Sequence, residues 1–252
     1  MIGVFDSGVG GLSVVKELFK SLPDRKIIYF GDTARLPYGT KGPDFVKKYS
    51  SKITEWLLEK GAGIIVIACH TSSAQAADFL KETYKDIPIF DMITTCSGKI
   101  AKFKNLGIIG TPGTIKSKSW ETHLLRENPS ANIQSKACPL FVPLVEEGWI
   151  DKKTTKEVAR EYLKDFKNIE ALILACTHYP MIEKVIKQTA NCKVIDPAEI
   201  LAKELKLFVE KNSLKLERGE SEFYFSDEPY HLDKISKLCL NQKIKPIISD
   251  PF

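Results

Sequence analysis

Two short stretches of the chain read as copies of one another. Residues Ile64–Thr71 and Ala171–His178 each contain a run of apolar residues that ends in Ala-Cys, with a Thr and a His close by. Continuous apolar runs of this length are typical of strands buried on both faces of a parallel sheet. Each stretch therefore predicts a buried strand that carries a thiol, Cys69 or Cys176, at its C-terminal end. A small molecule held between the two ends would meet one sulfur on each side.

The other apolar runs alternate with stretches of helical periodicity. Strand-like runs at Ile2–Phe5 and Lys26–Phe30 are each followed by a glycine-containing turn or loop and then by a helical pattern, such as Phe45–Leu58. Alternation of this kind indicates βαβ units and a mostly parallel sheet covered on both faces. The predicted fold class is therefore α/β.

The same order of elements begins again near the middle of the chain. Ser7 and Thr111, which both follow a strand-like run, are 104 residues apart, and Cys69 and Cys176 are 107 residues apart. The near-equal offsets predict two similar parallel-sheet α/β domains related by pseudo-two-fold symmetry, with a site between them. Any two βαβ segments look partly alike, which is the plainer alternative. The last segment, from about Glu222, is too short for a domain and is expected to pack on one of the halves.

Composition narrows the class of protein. The chain has 43% hydrophobic and 27% charged residues, as ordinary globular proteins do. Its net charge of +5 comes from 37 basic and 32 acidic residues without long runs of one sign, so a nucleic-acid partner is not expected. No apolar run approaches the ~18–20 residues of a membrane span, and the expected location is cytoplasmic. The six cysteines are far apart and contain no Cys-x-x-Cys, which favours free thiols.

In parallel sheets, ligands bind beyond the carboxyl ends of the strands. The clusters at these points are Asp6-Ser7-Gly8, Pro37-Tyr38-Gly39, Cys69-His70-Thr71 and Cys176-Thr177-His178, with Thr111 and Thr114 in the second half. Each cysteine precedes a predicted helix, whose N-terminal amides favour a thiolate and are expected to lower the thiol pKa.

The chain shows no P-loop, no His-Glu-x-x-His and no acidic calcium loop, so no cofactor is expected. Zinc ligation by the Cys and His pairs is disfavoured because they lie on different strand ends without a Cys-x-x-Cys clip. A pair of bases is the remaining chemistry, in which one thiolate removes a proton from one face and the other thiol donates one from the opposite face. Asp6 is the expected partner of Cys69, and His178 with Glu146 of Cys176.

Five segments in this order resemble the signature segments of the glutamate racemases, in the aspartate/glutamate racemase family. The segments are Asp6–Leu12, Gly31–Arg35 with Pro37–Gly39, Ala68–Ala74, Phe141–Glu146 and Cys176–Pro180. The resemblance runs the length of the chain and includes the closing segment Phe223–Asp227. It implies that the first domain takes back the C-terminal segment, which divides the chain into residues 1–95 plus 207–252 and residues 96–206.

The resemblance implies cofactor-independent interconversion of L- and D-glutamate, which supplies D-glutamate for peptidoglycan, by a protein that is usually a homodimer. In this family the position of Cys69 acts on the D-enantiomer and that of Cys176 on the L-enantiomer. Asp6, Glu146 and His178 would support proton transfer. The residues expected to hold the substrate are Ser7, Pro37, Tyr38, Gly39, His70, Thr71, Thr114 and Thr177.

The sequence departs from the family pattern in two places. His70 stands where the family has Asn, and Asp91–Thr95 replaces a Gly-Val-Ile-Glu-Pro run. An imidazole beside Cys69 could keep a donor to the substrate, crowd the pocket, or turn away from it. Two alternatives therefore stay open: a racemase of aspartate or another small acid, and a binding relative weakened by His70. The residues do not bear on a second, interaction role.

Overall fold

The computed structural model describes residues 1–252 and contains ten strands. In chain order they are β1 (Ile2–Asp6), β2 (Ile27–Gly31), β3 (Ile64–Ile67), β4 (Ile89–Asp91), β5 (Asn105–Gly110), β6 (Asn132–Ala137), β7 (Ala171–Ala175), β8 (Lys193–Ile195), β9 (Glu222–Phe225) and β10 (Pro246–Ile248). Strands β1, β3 and β7 are buried along their whole length, because their sequences, apolar except for Asp6 at the end of β1, suit a position inside a parallel sheet.

The strands form two sheets in which every named pair is parallel. The first sheet has the order β10-β9-β2-β1-β3-β4 and the second has the order β6-β5-β7-β8. The order β2-β1-β3-β4 in the first sheet repeats as β6-β5-β7-β8 in the second. Two parallel-sheet α/β halves are thus present, as predicted, and β3 and β7 hold equivalent places in them.

Eleven α-helices connect and cover the strands. They are α1 (Leu12–Ser21), α2 (Pro43–Glu59), α3 (His70–Thr83), α4 (Thr94–Ile100), α5 (Pro112–Ser117), α6 (Ser119–Glu127), α7 (Phe141–Glu146), α8 (Lys153–Leu163), α9 (Glu183–Ala190), α10 (Pro197–Lys211) and α11 (Leu232–Leu240). Short 3₁₀ turns occupy Thr33–Arg35, Tyr38–Thr40 and Tyr179–Ile182. None of the helices combines the length and the apolar character needed to cross a membrane.

The C-terminal segment packs on the first half. Strands β9 and β10 extend the first sheet beyond β2, and α11 packs against α1. The largest apolar cluster includes Val4, Ile108 and Leu201 and so runs between the two sheets. Helix α10 packs on both α1 and α4. The domain boundaries predicted at residues 95/96 and 206/207 stay a prediction.

Several predicted element limits shift in the structure. The sequence pattern predicts a helix over Pro229–Leu240, but α11 begins only at Leu232, because His231 before it has a φ of +55°. The pattern also predicts a helix over Met181–Thr189, where the structure has the 3₁₀ turn Tyr179–Ile182 followed by α9. The second loop, residues 32–42 between β2 and α2, carries two 3₁₀ turns and a cis peptide bond between Leu36 and Pro37.

Candidate active site

The carboxyl ends of β3 and β7 meet at a cavity between the two halves. Cys69 and Cys176 come just after these strands, each is 5% exposed, and both line this cavity. Its walls are formed by Ser7, Gly8, Leu36, Pro37, Gly39, Cys69, His70, Thr71, Thr111, Val142, Glu146, Cys176, Thr177 and His178. The two thiols of the duplicated stretches thus share one cavity.

Cys69 is the N-cap residue of α3. Its Sγ atom accepts a hydrogen bond from the main-chain N–H of Ser72 at 3.5 Å, and its thiol donates to Ser7 Oγ at 3.7 Å. Burial, together with the nearby Asp6 carboxylate, raises the pKa of Cys69 to about 11. The sequence predicted a lowered pKa from the helix amides, but the loss of solvation outweighs them because the sulfur is enclosed. At neutral pH Cys69 is therefore a protonated thiol.

Cys176 is linked to His178 and Glu146, the partners expected from the sequence. Its Sγ atom lies 3.9 Å from His178 Nδ1, and His178 Nε2 lies 3.0 Å from Glu146 Oε1. Burial lowers the pKa of His178, but the bonds to Cys176 and Glu146 outweigh it and raise the value to about 10. At neutral pH His178 is therefore an imidazolium beside the second sulfur.

Asp6 at the end of β1 connects the two halves beneath the cavity. Its carboxylate accepts hydrogen bonds from Gly8 N at 3.0 Å and from Thr177 Oγ1 at 3.2 Å. The carbonyl of Thr177 in turn accepts from Ser13 Oγ at 2.8 Å. Burial raises the pKa of Asp6, although the positive charge of His178 opposes this. Asp6 is not part of the cavity wall, so it acts on Cys69 through its charge.

Three threonine hydroxyls join the halves on another side of the cavity. Thr71 Oγ1 lies 2.9 Å from Thr111 Oγ1 and 3.2 Å from Thr114 Oγ1, and the last two are 3.0 Å apart. Thr71 and Thr111 line the cavity and Thr114 does not. Because hydroxyls donate as well as accept, this cluster can reorient to bond a carboxylate or an ammonium group.

The second loop reaches the cavity through Pro37 and Gly39. A buried carboxylate anchors the loop: Asp32 accepts from Tyr38 at 2.6 Å, and from Arg35 and Ser226 at 2.7 Å each. The side chain of Tyr38 is fully buried in this anchor and lies outside the cavity wall. A substrate-binding role for Tyr38 stays a prediction, whereas its bond to Asp32 explains how the loop is held.

His70, the residue that departs from the family pattern, is the first residue of α3 and lies on the cavity wall. Its ring stacks on Trp120 of α6, with centroids 6.0 Å apart and planes 29° apart. Burial lowers the pKa of His70 to about 3, although Asp91 opposes this, and Nδ1 has no hydrogen-bond partner. His70 is therefore neutral at physiological pH and adds no positive charge beside Cys69.

Two wall residues, Leu36 and Val142, lie outside the clusters predicted from the sequence, while Gly8 and Thr111 belonged to those clusters without a predicted role. Thr111 had a usable signal in the sequence, since it occupies the place of Ser7 in the repeated half. Leu36 and Val142 are apolar and carry no chemical signal of their own. No three His, Cys, Asp or Glu side chains converge in a way that could hold a metal ion.

Known proteins resemble this chain in both sequence and fold. Residues 2–205 match the sequence model of the Asp/Glu/Hydantoin racemase family. The glutamate racemase of Aquifex aeolicus is 40% identical over 253 aligned positions, which cover 98% of this chain and 97% of the relative. A crystal structure of glutamate racemase from Francisella tularensis in complex with D-glutamate superposes with a TM-score of 0.92 at 38% identity, covering 98% and 96% of the two chains. One from Thermus thermophilus in complex with β-chloro-D-alanine gives 0.90 at 36% identity, covering 99% and 96%. The chain therefore belongs to the Asp/Glu/hydantoin racemase family of isomerases.

Proposed function

We propose that the protein is a cofactor-independent glutamate racemase that uses Cys69 and Cys176 as opposed bases. The observation that carries the proposal is that both thiols line one cavity from equivalent strand ends of the two halves. The similar Francisella protein was crystallised with D-glutamate, which supports glutamate as the substrate. Inversion at the α-carbon needs proton removal on one face and proton donation on the other, and two opposed thiols supply both.

Each thiol has a neighbourhood suited to its part in the reaction. Cys69 is a thiol at neutral pH, because its pKa is raised to about 11, and so can donate a proton. Cys176 faces the imidazolium of His178, which can donate a hydrogen bond to a thiolate. With L-glutamate bound, Cys176 would remove the α-proton while Cys69 delivers its own proton to the opposite face. In the reverse reaction the two sulfurs exchange roles: Cys69 removes the α-proton of D-glutamate and Cys176 donates a proton to the opposite face.

The cavity wall suits a small dipolar amino acid. It contains no Lys or Arg side chain, so the carboxylates of the substrate would be held by hydroxyls and main-chain amides. Ser7, Thr71 and Thr111 supply such hydroxyls from both halves, and the Thr177 hydroxyl, which donates to Asp6, can accept from the ammonium group of the substrate. The neutral imidazole of His70 can serve as one further uncharged donor. Enclosure strengthens each of these hydrogen bonds because little water competes for them.

The wider setting of the proposal rests on the family resemblance. On that basis the proposed enzyme works in the cytoplasm as a homodimer and supplies D-glutamate for peptidoglycan synthesis. Aspartate or another small acid is the alternative substrate, and a binding protein without turnover is the alternative class. Proton exchange with glutamate and with aspartate separates both from the proposal.

The test is α-proton exchange in deuterated water. Purified protein is incubated separately with L-glutamate, D-glutamate and L-aspartate, and deuterium at the α-carbon is followed by NMR beside circular dichroism of the amino acid. We expect exchange and loss of optical activity with both glutamate enantiomers, and none with a C69S/C176S control. Exchange with aspartate alone would select the alternative substrate, and no exchange with any of them would contradict the racemase proposal.

A further inference from the structure

The C-terminal segment contacts the second half beside the active site. Helix α11 packs against α1 of the first half, and Lys234 on α11 donates from Nζ to the main-chain carbonyl of Glu147 at 3.1 Å. This carbonyl lies at the C-terminal end of α7, where a cation is favoured by the helix dipole. His231, just before α11, has Nε2 3.9 Å from the carboxylate of Glu147.

Gly148 shows how closely Lys234 is seated. This glycine has a φ of +70°, and a Cβ built on it would lie 2.3 Å from Lys234 Cε and 2.4 Å from Nζ. Any side chain here would therefore collide with Lys234 and would also be strained by the left-handed backbone. Although Lys234 is solvent-exposed, its aliphatic part crosses the backbone at Gly148 and its ammonium is bonded to the end of α7.

This contact is the polar link between α7 and the first half. Among the hydrogen bonds and ion pairs of the structure, only those of Lys234 and His231 join residues 140–150 to the first half. The other tertiary bonds of this segment stay within the second half, such as that from Leu140 N to Tyr162 Oη. Helix α7 also carries Glu146, the residue directly before the bonded carbonyl.

We propose that Lys234 is a positioning residue that holds the end of α7 against the first half and thereby keeps Glu146 in contact with His178. The link runs from Lys234 through the backbone at Glu147 to Glu146, whose Oε1 lies 3.0 Å from His178 Nε2. Its kinetic consequence rests on the proposed function, because His178 would matter to turnover through Cys176.

The sign of one measurable effect separates positioning from a simple charge effect. The charged or titratable groups that face His178 are Asp6, Cys176 and Glu146. If Lys234 positions Glu146, its loss weakens the Glu146 bond and lowers the pKa of His178 from about 10. If Lys234 acted only through its charge, removing a cation would raise that pKa.

The experiment compares K234A, K234R and K237A in the full chain. Lys237 lies one turn further along α11, is exposed, and makes no side-chain bond, so it is a matched control. Imidazole NMR signals of the four histidines are titrated, with His178 identified by its absence in H178Q. We expect a lower His178 midpoint in K234A, a midpoint near wild type in K234R, and none of this change in K237A. An unchanged or raised midpoint in K234A would overturn the proposal.

Racemisation kinetics give the second readout. We expect K234A to lower kcat/KM for glutamate about 10-fold in both directions, since the ratio of the two directions is fixed by equilibrium. In an E146Q background K234A should cause no further loss, because both changes act through the same contact. Additive losses would contradict positioning. If wild type exchanges no substrate proton, the racemase proposal fails while the His178 midpoint still tests Lys234.

Discussion

His178 Nε2 lies 3.0 Å from Glu146 Oε1, while Nδ1 of the same ring lies 3.9 Å from the sulfur of Cys176. The carboxylate comes from α7 and the imidazole from the turn after β7, so both belong to the second half. Because each ring nitrogen faces a group that can be negative, the imidazolium form is favoured despite burial. His178 is thus a charged group in contact with one of the two thiols.

Glu146→Gln tests this pair. Removing the carboxylate removes one of the bonds that raise the pKa of His178 to about 10, so this pKa should fall. We expect the alkaline limb of the kcat/KM profile for glutamate to move to lower pH and kcat/KM to fall about 10- to 100-fold, as for the loss of a hydrogen bond to a charged group. The check is a pH–rate profile from pH 6 to 10. A profile that keeps its alkaline limb would contradict the assigned role.

The same pair also affects stability. The pKa of His178 is raised from 6.5 to about 10 in the folded state, so its contribution to the free energy of unfolding is fully present below pH 6.5 and is lost as pH rises through 10. In E146Q this loss should be smaller. Urea unfolding at intervals between pH 6.5 and 10 measures the difference in slope between wild type and E146Q.

Cys69→Ser and Cys176→Ser should each abolish efficient racemisation. A hydroxyl is a far weaker acid than a thiol, and loss of a general acid or base costs about 10²–10⁴-fold in rate. The measurement is the loss of optical activity starting from each glutamate enantiomer. Cys192→Ser is the control, because Cys192 is a free cysteine outside the cavity. Full activity in either active-site variant would show that its thiol is not one of the two bases.

His70→Asn should change how stability depends on pH. The pKa of His70 falls from 6.5 to about 3 in the folded state because of burial, so between these values the unfolded chain binds more protons than the folded one. The free energy of unfolding therefore decreases as pH falls from 6.5 towards 3, by up to about 1.4 kcal/mol per pH unit. Asparagine does not titrate, so H70N should show a shallower decrease.

The check is urea unfolding of wild type and H70N at pH 7, 6 and 5. His123→Asn is the matched control, since His123 lies on α6 outside the cavity. Equal slopes in wild type and H70N would show that His70 is protonated in the folded state. Because His70 is neutral in the working range, we also expect H70N to keep the wild-type pH profile of racemisation.

Apolar runs and their repetition predicted the two sheets and the strand ends that bear Cys69 and Cys176. This worked because a strand buried on both faces needs a continuous apolar sequence, which is a local property. The pairing of Cys176 with His178 was also local, since the two are close in sequence. The sequence also suggested Glu146 as a partner of Cys176, but nothing local in the sequence fixes how close Glu146 lies to His178.

Properties that depend on distant contacts were not predictable in the same way. The raised pKa of Cys69 follows from how completely the folded chain encloses it, and the helix amides alone pointed in the opposite direction. The stacking of His70 on Trp120 joins residues from different halves. The bond from Lys234 to Glu147 joins residues 87 positions apart, and neither residue type signals the other.

Gly10→Ala should displace His178 from across the boundary between the halves. A Cβ built on Gly10 would lie 2.5 Å from His178 Nδ1 and 2.5 Å from Thr177 Oγ1, closer than any ordinary contact. The added methyl group must therefore push the imidazole away from Cys176 or widen the gap between the halves. A shift of about 1 Å in a catalytic group can cost about 10²-fold in rate, and we expect a loss of that order in kcat/KM for glutamate.

Gly42→Ala is the matched control, because a Cβ there would meet nothing within 4 Å. The measurement is racemisation of both enantiomers together with the NMR midpoint of His178, which should move in G10A and stay in place in G42A. Wild-type kinetics in G10A would show that the close approach of Gly10 to His178 does not govern the site.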